Sequence, residues 1–140
     1  MKDTPSLHIA LLLTVALASG CATVRAPEPP TSSHNTAVQA LLDTAHAALE
    51  DGRFASATAA LERALRIEPR NPVLWQELAQ AHLRAGNHAQ AENFAARSNT
   101  WAGGNRALLA SNWQIIGEAR AARGDAAGAR QALERAERFR

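Results

Sequence analysis

Residues 38–140 carry large apolar, small and polar residues in an order that recurs. Three Gly-x-x-x-x-Ala pairs mark the recurrence: Gly52 with Ala57, Gly86 with Ala91, and Gly124 with Ala129. The first two lie 34 residues apart and the last two 38. Numbering a unit from Val38, from Pro72 and, after a four-residue insertion, from Ala110 brings the rest into register. Position 4 is then Leu41, Trp75 and Trp113; position 7 is Thr44, Leu78 and Ile116; position 8 is Ala45, Ala79 and Gly117. Position 24 is Leu61, Ala95 and Leu133; position 27 is Ala64, Ser98 and Ala136; position 30 is Ile67, Trp101 and Phe139. Small residues at 8, 20 and 27 let helices approach, and large ones at 4, 7, 24 and 30 fill the gaps, so no unit buries its faces alone. The pattern predicts helices at about 37–50, 54–67, 72–85, 88–99, 105–123 and 126–139. Glycine accepts the turn between paired helices, and Asn71-Pro72 and Asp125 are start signals.

This spacing resembles the tetratricopeptide repeat (TPR), with Trp or Leu opening helix A, Gly in the turn, Ala at 20 and 27, and Pro69 or Gly103 closing the unit. The resemblance implies an all-α fold, a short TPR α-solenoid of about three helix-turn-helix repeats (38–71, 72–105 and 110–140) within a domain at 37–140. Position 11, usually Tyr in the family, is Ala48, His82 and Arg120, which predicts a thin core there. Leu133 and Phe139 are expected to pack inward, and Trp75 and Trp113 to be core. Arg106 to Leu109 add about one turn, ~6 Å, to the fifth helix.

Ahead of the repeats, Leu7 to Ala18 is apolar apart from His8 and Thr14. A dozen helical residues reach roughly 18 Å, short of a ~30 Å hydrocarbon core, so the stretch reads as a signal segment at 1–20. Ala18-Ser19-Gly20-Cys21 resembles the lipobox of bacterial lipoproteins, which implies lipidation at Cys21; the alternative is an ordinary secretory signal with an incidental Cys. With several acyl chains the anchoring would be stable. By analogy with enterobacterial sorting, Ala22 implies the outer membrane, lipid-anchored on the periplasmic side. Residues 21–36 then form the lipidated Cys and a Pro/Ser/Thr tether, reaching about 47 Å when extended.

Composition closes most routes to chemistry. A single Cys excludes a disulfide framework, a zinc ribbon and a Cys-based redox pair. Net charge is +2, too balanced for a dedicated nucleic-acid binder. Residues 97–140 nonetheless hold eight Arg against four acids, while 37–96 hold five against seven. His34, His46, His82 and His88 show no pairing that would put two ligands on one helix face, so no metal is expected. There is no Gly-Lys-Ser/Thr loop and no nucleophile with a base at recognisable spacing; neither an enzyme nor a cofactor is expected.

In the TPR family helix A lines the concave groove through positions 2, 5, 9 and 12. The resemblance places Gln39, Leu42, His46 and Leu49 there, with Val73, Gln76, Gln80 and Leu83, then Ser111, Gln114, Glu118 and Ala121. Such a line of Gln, His and Glu beside aliphatic patches suits an extended peptide or helix of a partner protein, or is a solvated face. The Lys and Asn of a carboxylate clamp are absent. Trp101 aligns with Ile67 and Phe139, which favours packing over recognition. Arg130, Arg135 and Arg138 interleave with acids and read as a solvated face or a basic docking surface.

Lipobox, short tether and three repeats together resemble the LpoP type of lipoprotein, through residues 61–69 (Leu61 to Pro69), 97–99 (Arg97 to Asn99) and 111–120 (Ser111 to Arg120). That resemblance implies a periplasmic adaptor whose protein partner is a class A penicillin-binding protein, the bifunctional peptidoglycan synthase, which it would activate. The alternatives are a pilotin or assembly lipoprotein for a pilus secretin, and a protein that binds peptidoglycan directly through its arginine-rich end.

Overall fold

The computed structural model describes residues 34–140, and the expected signal segment, Cys21 and most of the tether lie outside them. Six helices follow one another: α1 (Thr36–Glu50), α2 (Phe54–Ile67), α3 (Pro72–Arg84), α4 (His88–Trp101), α5 (Arg106–Ala122) and α6 (Ala126–Arg138). Among the described residues there is no strand.

Side-chain caps fix where most of the helices begin. Asn35 accepts from the Ala37 N–H at 2.9 Å, Asn71 from Val73 at 3.0 Å, Asn105 from Leu108 at 3.0 Å and Asp125 from Gly128 at 2.8 Å. Each satisfies a helix N–H that has no intrahelical partner. The turns inside each pair share one geometry. Gly52, Gly86 and Gly124 sit at φ of 69°, 76° and 83°. The residue after each donates its N–H back to Ala48, His82 and Arg120 respectively. These are Schellman closures, which need the left-handed backbone that glycine adopts without strain.

Short turns make α1/α2, α3/α4 and α5/α6 antiparallel pairs, and the pairs stack in order through α2/α3 and α4/α5. One edge of the array therefore collects the N-termini of α1, α3 and α5 and the C-termini of α2, α4 and α6; the opposite edge holds the glycine turns. Between them runs a core built as the repeat predicts. Ala45, Ala79 and Gly117 are buried, as are Ala57, Ala91 and Ala129, and Ala64, Ser98 and Ala136. Leu61, Leu74 and Leu78 fill the space that these small residues leave.

Several expectations about large residues are corrected. Trp75 and Trp113 are only half-buried, and Ile67, Trp101 and Leu133 are exposed by 45%, 39% and 44%. Position 30 ends helix B at the array edge, where no further helix arrives to cover it. There the rings are covered by arginines instead: the Arg70 guanidinium lies 5.3 Å from the Trp101 centroid and that of Arg106 lies 6.0 Å from Phe139. Trp75 stacks on Phe94 at 5.9 Å, takes the Arg97 guanidinium at 5.0 Å on its ring, and donates its Nε1–H to the Pro69 carbonyl at 2.9 Å. Position 11 is not thin either. His82 packs on Phe94 with centroids 5.1 Å apart, and Arg120 reaches Glu92 of α4 at 2.7 Å.

Candidate functional site

The concave face is formed by α1, α3 and α5, and it holds a groove with two joined lobes. The larger, about 400 Å³, is lined by His46, Leu49, Glu50, Gln76, Glu77, Gln80, Arg84 and Ser111. The smaller, about 280 Å³, is lined by Val73, Gln76, Asn105, Ala107, Leu108 and Ser111. Gln76 and Ser111 belong to both, so they mark the junction. The second lobe exists because the inserted turn carries α5 beyond the regular repeat and brings Asn105, Ala107 and Leu108 opposite Val73.

The larger lobe is mostly polar, with Leu49 its one aliphatic residue, and the smaller is more apolar through Val73, Ala107 and Leu108. His46 Nε2 meets Glu77 Oε2 at 3.2 Å, linking α1 to α3 across the groove. At the junction the Gln76 Nε2 atom is buried and has no hydrogen-bond partner among the described residues.

His46, Leu49, Val73, Gln76, Gln80 and Ser111, placed in the groove by the repeat, do line it. Gln39, Gln114, Glu118 and Leu83 do not line either lobe; Leu83 turns into the core beside Ala79, Ala91 and Ile115. The repeat positions alone missed Glu50 and Arg84, from the last turns of α1 and α3, Glu77 from the middle of α3, Asn105 from the cap of α5, and Leu108, which the insertion supplies. Of the three basic-surface residues, Arg135 lies over Trp113 at 4.7 Å, while Arg130 and Arg138 are exposed on α6.

Behind the groove, α3, α4 and α5 are tied by a buried polar chain. Ser98 Oγ donates to the Pro72 carbonyl at 2.7 Å. Asn112 Nδ2 donates to Ser98 Oγ at 2.7 Å and to Asn99 Oδ1 at 2.9 Å. Nearer the opposite edge, Glu92 receives both Arg120 and Arg123 at 2.7 and 2.8 Å. Burial against Phe94 lowers the His82 pKa from its usual 6.5, with Glu62 pulling it back up by a smaller amount. Among the described residues no cluster of three His, Cys, Asp or Glu could hold a metal ion, and no helix is long and apolar enough to cross a membrane.

The tetratricopeptide repeat pattern matches residues 48–111. The solved globular C-terminal domain of P. aeruginosa LpoP is 43% identical over 75% of this chain and 99% of that one, with a TM-score of 0.72. The chain belongs to the LpoP family of TPR proteins. Among curated proteins none matches significantly. Two of the stretches that carry the LpoP resemblance, 97–99 and 111–120, meet at the buried Ser98–Asn112 chain, so they hold the fold behind the groove. The LpoP-family scaffold is that of a protein-binding adaptor.

Proposed function

We propose that this protein is a lipid-anchored periplasmic adaptor of the outer membrane, held through Cys21, that activates a class A penicillin-binding protein by seating a segment of it in the α1/α3/α5 groove. The observation that carries the reading is the 43% identity spanning nearly all of the LpoP domain. The groove supplies the means. Its Gln, His and Glu side chains beside Leu49, Val73 and Leu108 suit an extended segment or helix of a protein. An adaptor that binds one conformation of a synthase more tightly raises the population of that conformation, and needs no catalytic residue of its own.

The test is glycan polymerisation by the host's class A synthase in detergent, with and without residues 31–140. Faster polymerisation that disappears on Gln80→Arg with Ser111→Arg, both at the groove wall, is the expected result. An unchanged rate together with no detectable complex would refute the reading.

A further inference from the structure

The two edges of the array treat their arginines differently. On the glycine-turn edge three arginines pair with carboxylates, Arg53 with Asp51 at 2.7 Å and Arg120 and Arg123 with Glu92, while Arg84 and Arg130 are in no ion pair among the described residues and none lies over a ring. On the other edge Arg97 and Arg135 lie over Trp75 and Trp113, and Arg70 and Arg106 over Trp101 and Phe139. None of these four, nor Arg66 or Arg138 beside them, is in an ion pair among the described residues, and all are exposed. The carboxylates on this edge are Glu68, which accepts from the Asn71 amide, Glu137, which pairs with Arg140, and Glu134.

The arrangement is periodic. Arg63, Arg97 and Arg135 all occupy position 26, and the rings beneath the last two occupy position 4. A guanidinium resting on a ring keeps its full charge while its flexible stem is held in place. The repeat thus spreads positive charge along all three pairs of helices, held on a ring in the second and third. Between those charges lie two of the large exposed apolar residues, Ile67 and Trp101. At the α1/α2 end, Arg63, Arg66 and Ile67 line an open depression of about 580 Å³. Cationic side chains beside an exposed Trp and Ile match a bilayer interface, where phosphates meet the first acyl carbons. An acidic peptide or a nucleic acid would leave Ile67 without a partner.

The path of the chain gives the orientation. Asn35 caps α1 on this same edge and stands fourteen residues after Cys21 in the sequence. We infer that the arginine edge docks the domain on an anionic phospholipid surface, with Ile67 and Trp101 at headgroup depth. As a statement about the cell this rests on the anchoring at Cys21, but the docking itself does not need the lipid.

The experiment is flotation of residues 22–140 with phosphatidylglycerol-containing vesicles, pure phosphatidylcholine vesicles and soluble polyglutamate, with circular dichroism to confirm the fold. That piece keeps every described residue and includes the part matching a related domain solved as an isolated globular unit. Expected is binding to the anionic vesicles that weakens with salt, falls at least about tenfold on Arg66→Glu with Arg138→Glu, and changes less than about twofold on Arg53→Glu with Arg130→Glu. Trp101→Phe should remove most of the fluorescence quenching by brominated lipid. Equal binding to both kinds of vesicle, no binding, equal loss in both double variants, or tighter binding to polyglutamate would each overturn the inference. Palmitate labelling that depends on Cys21 reads the anchor separately, so the two can fail independently.

Discussion

Asn112 of α5 donates to the Ser98 hydroxyl of α4 across 2.7 Å with no solvent contact on either side chain. The repeat pattern puts a small residue at Ser98, and here the hydroxyl turns a packing position into a relay from the Pro72 carbonyl to the α5 amide. Asn112→Ala removes two hydrogen bonds and leaves a void. It should cost about 2–3 kcal/mol, measured by urea unfolding, with Ser98→Ala costing about 1–2. The double variant should cost less than the sum, because the two groups satisfy one another.

Gly117 and Leu133 form a second coupled pair. A Cβ on Gly117 would meet Leu133 Cγ and Cδ2 at 2.9 Å. Helix propensity alone would make Gly117→Ala stabilising by about 1 kcal/mol. With Leu133 present the clash should reverse the sign to about 1 kcal/mol of destabilisation, and in a Leu133→Ala background the gain should reappear. A double-mutant cycle by thermal unfolding checks this, and additive effects would refute it.

Glu92 receives two guanidiniums while largely withdrawn from solvent. Glu92→Ala should cost about 1–2 kcal/mol, allowing for solvent screening of the more exposed Arg123. The difference from wild type should shrink when melting is repeated in high salt.

His82 gives the fold a pH dependence whose sign is fixed. Burial holds its pKa below 6.5, so around that pH the unfolded chain takes up a proton more readily than the folded one. The contribution of His82 to stability is therefore complete above pH 6.5 and declines as pH falls through the folded-state value. In His82→Phe the ring contact with Phe94 remains and the proton uptake does not, so its stability should vary less between pH 7 and 5 than that of the wild type, as read by thermal unfolding at the two pH values.

Much of this was legible because a repeat reports on itself. Aligned Gly52, Gly86 and Gly124 located the turns, and small residues at three positions located the helix crossings. The alignment could not show what fills the array edges, where covering atoms come from neighbouring units. Trp101 and Ile67 align with Phe139 as packing residues, yet Trp101 and Phe139 are covered by guanidiniums and Ile67 is left exposed. Asn112 next to Trp113 looks like a surface residue until α4 brings Ser98 against it. Half of the groove followed from family positions. Of the rest, Glu50, Glu77 and Arg84 come from α1 and α3 outside the family positions, and Ala107 and Leu108 from the insertion, for which no family position exists.

A uniform solenoid relates each unit to the next by one screw operation, so a bound segment could slide by one unit and meet the same walls. The extra turn of α5 breaks that operation once, at the step from the second unit to the third. The groove consequently has distinguishable ends: His46 and Glu77 at one, Asn105 and Leu108 at the other. A segment laid in it would meet different side chains at each end, and the inserted turn makes the end at Leu108 unlike any regular step of the repeat.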